Sequence, residues 1–279
     1  MIAFLQEIVH ELSVPGFRNA QGEHWPATMA YIEKKILETG HTPEVQEWKG
    51  ENSIIYRNYI VRIEGRQPKK YILGAHYDTF EDTPGADDNA SSVAVLMGVL
   101  NVLSNKEPLE YTWEFVFFAC EEPPFFGTKA MGSWQHSSSL EPTSVACMIC
   151  LEMVGYYSDE PGSQDYPFAP MKWFFGNKGN FIMAVSNAKS RIPAKVIIKK
   201  LLNQRPSFYK KLILPFELSG LDWSDHRSYW QRNIPALMLT DTAMFRNKNY
   251  HTKDDLPETL NYERMSDLTK DLAHLVKTL

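Results

Sequence analysis

The chain has 279 residues, 43% of them hydrophobic and 23% charged, which is an ordinary globular composition with enough length for one large core. Its net charge of −5 gives no broad cationic field, so nucleic acid is not an expected partner. No apolar run approaches the ~18 residues of a membrane-spanning helix, so no membrane partner is expected either.

The opening segment, MIAFLQEIVHELSVPG, has no basic region and meets Glu7 and His10 early. It reads as an amphipathic helix rather than a secretion signal. The three cysteines, Cys120, Cys147 and Cys150, are too few for a disulfide framework and point to a reducing, cytoplasmic setting. Helical periodicity runs over 27–39, 91–103, 195–202 and 265–279. Strand-like apolar runs occupy 53–63, 71–75, 111–120, 145–154 and 236–240, several of them apolar at nearly every position, as strands covered on both faces are. The alternation predicts an α/β fold: a mostly parallel or mixed twisted central sheet with helices on both faces. The whole chain, 1–279, reads as one domain, with 1–50 as an N-terminal helical segment packed on it. Cys147 and Cys150 lie three apart on a strand and so face opposite sides, which makes them buried thiols rather than a redox or metal pair. The long loops SDEPGSQDYPFAP, FFGNKGN and AMFRNKNY are candidate walls of a cleft.

Ligands of open α/β sheets bind beyond the carboxyl ends of the strands, and here those ends are conspicuously polar. YILGA stops at His76-Tyr77-Asp78, EFVFFAC at Glu121-Glu122, VACMICL at Glu152, and PALMLT at Asp241, ten residues before His251. His76 and Asp78, two apart, share a face on extended backbone, so Asp78 can fix the imidazole tautomer that binds a metal. PGADDNASS follows; taken alone it also reads as a helix N-cap, and one of its aspartates could bridge two cations. Two adjacent glutamates at the end of a buried run cost several kcal/mol each, on the order of magnitude of an unpaired buried charge, unless they divide their work. One would bind metal while the other takes the proton of an activated water.

His-x-Asp, then GADDNAS, Glu-Glu, Glu152 and Tyr-His-Thr resemble, in order and spacing from about residue 50 to the end, the M28 family of zinc aminopeptidases. The resemblance implies two zinc ions per chain. His76 and Glu152 would hold one ion, Glu122 and His251 the other, and Asp88 would bridge them. Asp87 would not be a ligand. Glu121 would be the general base and later the acid to the leaving amine, with Asp78 supporting His76. A cis peptide after Asp88 is also implied. The chemistry agrees: zinc accepts imidazole nitrogen and carboxylate oxygen, and two dications balance three carboxylates and a hydroxide. Tyr250, beside His251, would donate a hydrogen bond to the tetrahedral oxyanion.

Other features widen the substrate question. Glu152 stands where the best-known aminopeptidases of the family carry aspartate, and glutamate there sometimes accompanies carboxypeptidase activity in related dizinc enzymes. Arg246, on the loop before His251, is a candidate grip for a substrate carboxylate. Asp225 and His226, in GLDWSDHRSYW, are candidates for a substrate-side or supporting role. The expected activity is an exopeptidase releasing N-terminal residues from peptides or amino-acid derivatives. The alternatives are a carboxypeptidase or dipeptidase, a glutaminyl-cyclase-like acyltransferase with one zinc, and a metal-free binding domain.

Overall fold

The computed structural model describes residues 1–50, 53–103, 108–214 and 220–279. Eight strands form one sheet: β1 (Glu44–Lys49), β2 (Ile55–Ile63), β3 (Gly65–His76), β4 (Leu109–Phe118), β5 (Val145–Glu152), β6 (Ile182–Asn187), β7 (Tyr209–Leu214) and β8 (Ala236–Thr240). Their order across the sheet is β1-β2-β4-β3-β5-β8-β6-β7. The neighbours β3–β4, β3–β5, β5–β8 and β6–β7 run parallel, whereas β1–β2, β2–β4 and β6–β8 run antiparallel. The sheet is therefore mixed, with its parallel character concentrated in the centre.

Strands β1 and β7 escape a pattern search for a physical reason: they are edge strands, and their sequences EVQEWK and YKKLIL carry charges on exposed positions. The central strands are apolar throughout because both faces are covered. Leu73, Phe115, Phe117 and Ile149 join a large core with residues of α1 (Ile2–Leu12), α2 (Trp25–Glu38), α3 (Ser92–Val102), α6 (Arg191–Gln204) and α8 (Tyr262–Thr278). Their neighbours Ile72, Val116, Phe118 and Met148 face a smaller cluster with Tyr229 of α7 (His226–Gln231). The short helices α4 (Gly132–Ser138) and α5 (Met171–Phe175) complete the set. Cys147 belongs to the first cluster and Cys150 to the second, on opposite faces of β5.

Four adjacent strands, β4, β3, β5 and β8, point the same way, with His76 paired to Phe118 and Glu152 to Thr240 in register. The polar residues that end or follow them must therefore emerge along one edge.

A buried ionic group lies on the α4–α7 face. Glu114 of β4 accepts from Lys70 Nζ at 2.7 Å and from Arg62 Nη2 at 2.9 Å. His136 Nε2 is 3.6 Å from its other oxygen, and His136 Nδ1 bonds the Tyr229 hydroxyl at 2.7 Å. Burial, opposed by Glu114, pushes the His136 imidazole down to about 4. An unfolded histidine titrates near ~6.5, so between these values the unfolded state binds the extra proton. The stability contributed by His136 is complete above the unfolded value and is lost as pH falls towards the folded one. In urea unfolding, the wild type should lose about 2–3 kcal/mol more than His136→Gln between pH 7 and pH 4.5, by that linkage.

Candidate metal centre

His76 closes β3, Glu152 closes β5, and Glu121-Glu122 follow β4 after Ala119 and Cys120. Asp88 stands in the irregular turn 86–91 that leads into α3, and His251 in the loop after β8. The structure brings all of them to one place. His76 Nε2 lies 3.4 Å from Asp88 Oδ1 and 3.4 Å from Glu152 Oε2. His251 Nε2 lies 3.2 Å from Asp88 Oδ2 and 3.2 Å from Glu122 Oε1. Two three-donor sets thus share Asp88, one carboxylate oxygen to each. Glu121 Oε2 stands further off, 3.9 Å from His76 Nε2.

These separations test the fit of a metal. A tetrahedral ion with bonds of about 2.0–2.1 Å places its donors about 3.3–3.4 Å apart. His76 Nε2 and Asp88 Oδ1 are buried without a hydrogen-bond partner, which is costly unless something else satisfies them. His76, Asp88 and Glu122 present donor atoms within 4.8 Å of one another. Imidazole and carboxylate donors suit zinc. The residues present therefore fit a metal.

The electrostatics follow from burial. Burial pushes the Glu121 carboxyl well above the usual carboxylate range and Glu122 up to about 8. Burial also opposes charge on Asp88, but His251 and His76 outweigh it and hold that carboxyl below its usual range. For His251, burial is outweighed by Asp88 and Glu122, which raise the imidazole to about 10. The cluster as a whole draws positive charge.

Backbone amides brace the ligands. Asp78 Oδ1 and Oδ2 accept from the consecutive amides of Glu121 (3.1 Å) and Glu122 (3.0 Å). Asp78 Oδ1 is also 3.5 Å from His76 Nδ1, so Asp78 ties the histidine loop to the Glu-Glu loop as well as backing the imidazole. Asp255 does the same on the other side, accepting from Asp87 N and Asp88 N at 3.0 Å each. Ser224 Oγ donates to Glu152 Oε2 at 2.5 Å. The peptide Asp88–Asn89 is cis, and neither the turn nor α3 has a side-chain N-cap, so capping does not account for the paired aspartates.

The remaining candidates fall into different places. Tyr250 stacks on His251 (ring centroids 3.8 Å apart), whose other face lies on Phe80 at 4.2 Å. Burial pushes the Tyr250 hydroxyl up, so it stays a donor. Asp87 is buried behind the site, accepting from Gly155 N and Asn247 Nδ2 at 2.8 Å each. Asp241, although it ends β8, faces this second group of acids rather than the donor sets, accepting from Tyr156 N at 3.1 Å and Ala243 N at 2.9 Å. Arg246 is 2% exposed, with its Nε on Gln164 Oε1 at 2.9 Å, Nη1 on the Tyr156 carbonyl at 3.2 Å and its charge 4.7 Å from the Phe181 ring centre. It is brought to the interior, not to the cleft. His226 Nε2 meets the Leu221 carbonyl at 2.7 Å and the ring abuts Trp230. Asp225 is fully buried beneath the cluster, and burial pushes its carboxyl up to about 7.

Two cavities meet at the cluster. One of about 320 Å³ is lined by Asp88, Glu121, Glu122, Glu152, Trp223 and His251, among others. The other, about 90 Å³, is apolar, with Met183, Val185, Leu221, Met238 and Met244 in its wall. Glu152, Trp223 and Tyr250 border both. Among the described residues, neither cavity is lined by lysine or arginine. Sequence reasoning missed Arg18, Ser224 and Asp255. Arg18 sits in a loop with no periodic cue, and Asp255 differs in no local way from its exposed neighbour Asp254.

A histidine–carboxylate cluster with a shared aspartate, at the carboxyl edge of an open α/β sheet, is the construction of a metal-dependent hydrolase. Residues 58–276 match the model of Peptidase family M28. The chain is 39% identical over 229 residues to the uncharacterized protein YfbL of Escherichia coli strain K12, covering 79% of this chain and 70% of that one. It is 26% identical over 250 residues to a probable leucine aminopeptidase of Trichophyton verrucosum, covering 85% of this chain but only 61%, under two thirds, of that protein. In three dimensions it is similar to the LapA aminopeptidase of Legionella pneumophila (TM-score 0.74, 18% identity, 99% of this chain and 70% of that one). It is also similar to the glutaminyl cyclase of Tannerella forsythia (TM-score 0.72, 17% identity, 100% and 99%). The chain belongs to peptidase family M28.

Zinc added to chelator-treated protein should raise its stability by about 2.7 kcal/mol for each independent site at a hundredfold excess over Kd. Differential scanning calorimetry checks this, and Asp88→Asn should lose most of the gain.

Proposed function

We propose that the chain is a dizinc aminopeptidase that removes an aliphatic N-terminal residue from peptides. The observation that carries this reading is the composition of the cleft: carboxylates at the cluster, an apolar chamber beside it, and no lysine or arginine among the described lining residues. Such a surface suits an ammonium group and an apolar side chain, and away from the metal centre and its histidines sets no lysine or arginine, among the described residues, against a carboxylate. With Arg246 buried on Gln164 and Tyr156, the carboxypeptidase reading has no lysine or arginine among the described cleft residues to hold a substrate's C-terminus.

His76, Glu152 and one oxygen of Asp88 would hold one zinc ion, and His251, Glu122 and the other oxygen of Asp88 the second. When bound, the ions supply Lewis-acid polarisation of the scissile carbonyl and make a water acidic enough for a carboxylate to deprotonate. Glu121 lines the cleft and is free of the close donor contacts of the other acids, which suits it to take that proton and pass it to the leaving amine. Tyr250, which borders both cavities, would donate its hydroxyl to the developing oxyanion. The substrate's amine would lie among Glu152 and its neighbours, with its side chain in the apolar chamber. A cavity of ~150 Å³ holds a benzene ring, so the smaller chamber here takes a branched aliphatic chain.

Glutaminyl cyclase activity is the second reading, favoured by the structural likeness over nearly the full length of both chains. The complete donor set around His76, beside that around His251, favours hydrolysis.

A panel of leucine, alanine and N-acetyl-leucine amides, with an N-terminal glutamine peptide, tests the proposal. Leucine amide should be hydrolysed with a kcat/KM at least about tenfold above alanine amide, and the blocked amide should be inert. Cyclisation of the glutamine peptide with no amide hydrolysis would reverse the choice. Glu121→Gln should retain zinc by elemental analysis while kcat falls roughly 10²–10⁴-fold; unchanged kcat would remove Glu121 from its role.

A further inference from the structure

We infer that Arg18, from the N-terminal segment outside the family-matched region, is a positioning residue of the metal centre: its guanidinium gathers carbonyls of the loop that joins His76 to Asp88. The inference rests on the dizinc reading. Arg18 is 1% exposed. Its Nη1 faces the carbonyls of Tyr77 and Asp78, both at 3.4 Å. Its Nη2 donates to the carbonyl of Pro84 at 3.0 Å and to that of Gly85. Its Nε donates to the Leu12 carbonyl at 2.9 Å, at the end of α1. The main chain adds a further tie, with Thr79 N donating to the Arg18 carbonyl at 3.2 Å.

Four of the five carbonyls therefore belong to the short path between one donor of the first set and the aspartate shared by both. The loop closes tightly on the arginine. Gly85 has φ +57°, and a Cβ there would stand 2.6 Å from Arg18 Nη2 and 2.3 Å from the Asp88 carbonyl oxygen. Asp255 grips the amides of Asp87 and Asp88, so the turn bearing Asp88 is fixed by an anion on its amide side and a cation on its carbonyl side. Asp88, Asp255, Asp78 and Glu122 are the carboxylates that feel the charge of Arg18. A planar guanidinium can address carbonyls converging from several directions; an ammonium on the same stem offers a point charge with fewer directed bonds. Supporting residues of this kind typically govern metal affinity by about 10–100-fold.

The test measures zinc affinity by competition with a chromophoric chelator, alongside chemical unfolding of the metal-free protein. It compares wild type, Arg18→Lys, Arg18→Ala and Lys35→Met. Lys35 is a buried cation between α1 and α2, paired with Glu7, Glu11 and Glu38, and its partners lie outside the metal loops. All three variants should be less stable, but only the Arg18 variants should bind zinc more weakly, about tenfold for Arg18→Lys and up to about a hundredfold for Arg18→Ala. Millimolar guanidinium should restore part of the affinity of Arg18→Ala. Should Arg18→Ala fail to fold, Arg18→Lys decides. Zinc affinity within threefold of wild type in a folded Arg18 variant, or an equal loss in Lys35→Met, would overturn the inference and leave the dizinc reading intact. Failure of the wild type itself to bind zinc would overturn both.

Discussion

Carboxylates that share a buried site repel one another unless imidazoles, cations or N–H donors stand between them. At the carboxyl edge of this sheet that constraint is met in layers. The imidazoles of His76 and His251 lie between Asp88 and the two glutamates. Behind them, Asp78 and Asp255 each receive a pair of consecutive amides. Further back, the guanidinium of Arg246 lies near Asp241 and Asp87, and that of Arg18 near Asp88 and Asp255. The metal ions of the proposed function would complete the innermost layer, where His76 Nε2 and Asp88 Oδ1 are buried without a hydrogen-bond partner.

The sheet makes this arrangement possible. Parallel neighbours in the order β4-β3-β5-β8 bring residues far apart in sequence to a common rim, and their apolar interiors, covered on both faces, lock the register from which His76 and Glu152 project. The antiparallel strands widen the platform without contributing a ligand. Helices α3, α6 and α8 cover one face, with α1 packed on α3 and α8, and the turn that follows α1 delivers Arg18 beneath the rim.

Much of the donor set could be read in the linear chain because His76, Glu122 and Glu152 end or closely follow an apolar run, and such a boundary is a local signal. Glu152 and His76 are visible in that way, as is the Glu121-Glu122 pair. Asp241 carries the same signal yet serves the supporting group, since the direction of a side chain beyond its strand depends on the loops it meets. Arg246 reads as a loop arginine, a type usually solvated, but the ring of Phe181 and the carboxamide of Gln164 enclose it. The supports were invisible for the opposite reason. Asp255, Ser224 and Arg18 reach the site through contacts far off in sequence, and nothing in the neighbourhoods of Arg18 and Asp255 marks them. The edge strands were obscured because charges interrupt their alternation.

The stacking of Tyr250 on His251 has a mechanical consequence. One phenol ring walls the apolar chamber, borders the acidic cleft and rests flat against an imidazole whose far side is pinned by Phe80. A side chain that fills the chamber presses on this three-ring stack, whereas one that leaves it slack does not. Under the proposed function, selectivity among first residues would thereby be coupled to the posture of His251, and poor fit would be felt as slower turnover as well as weaker capture.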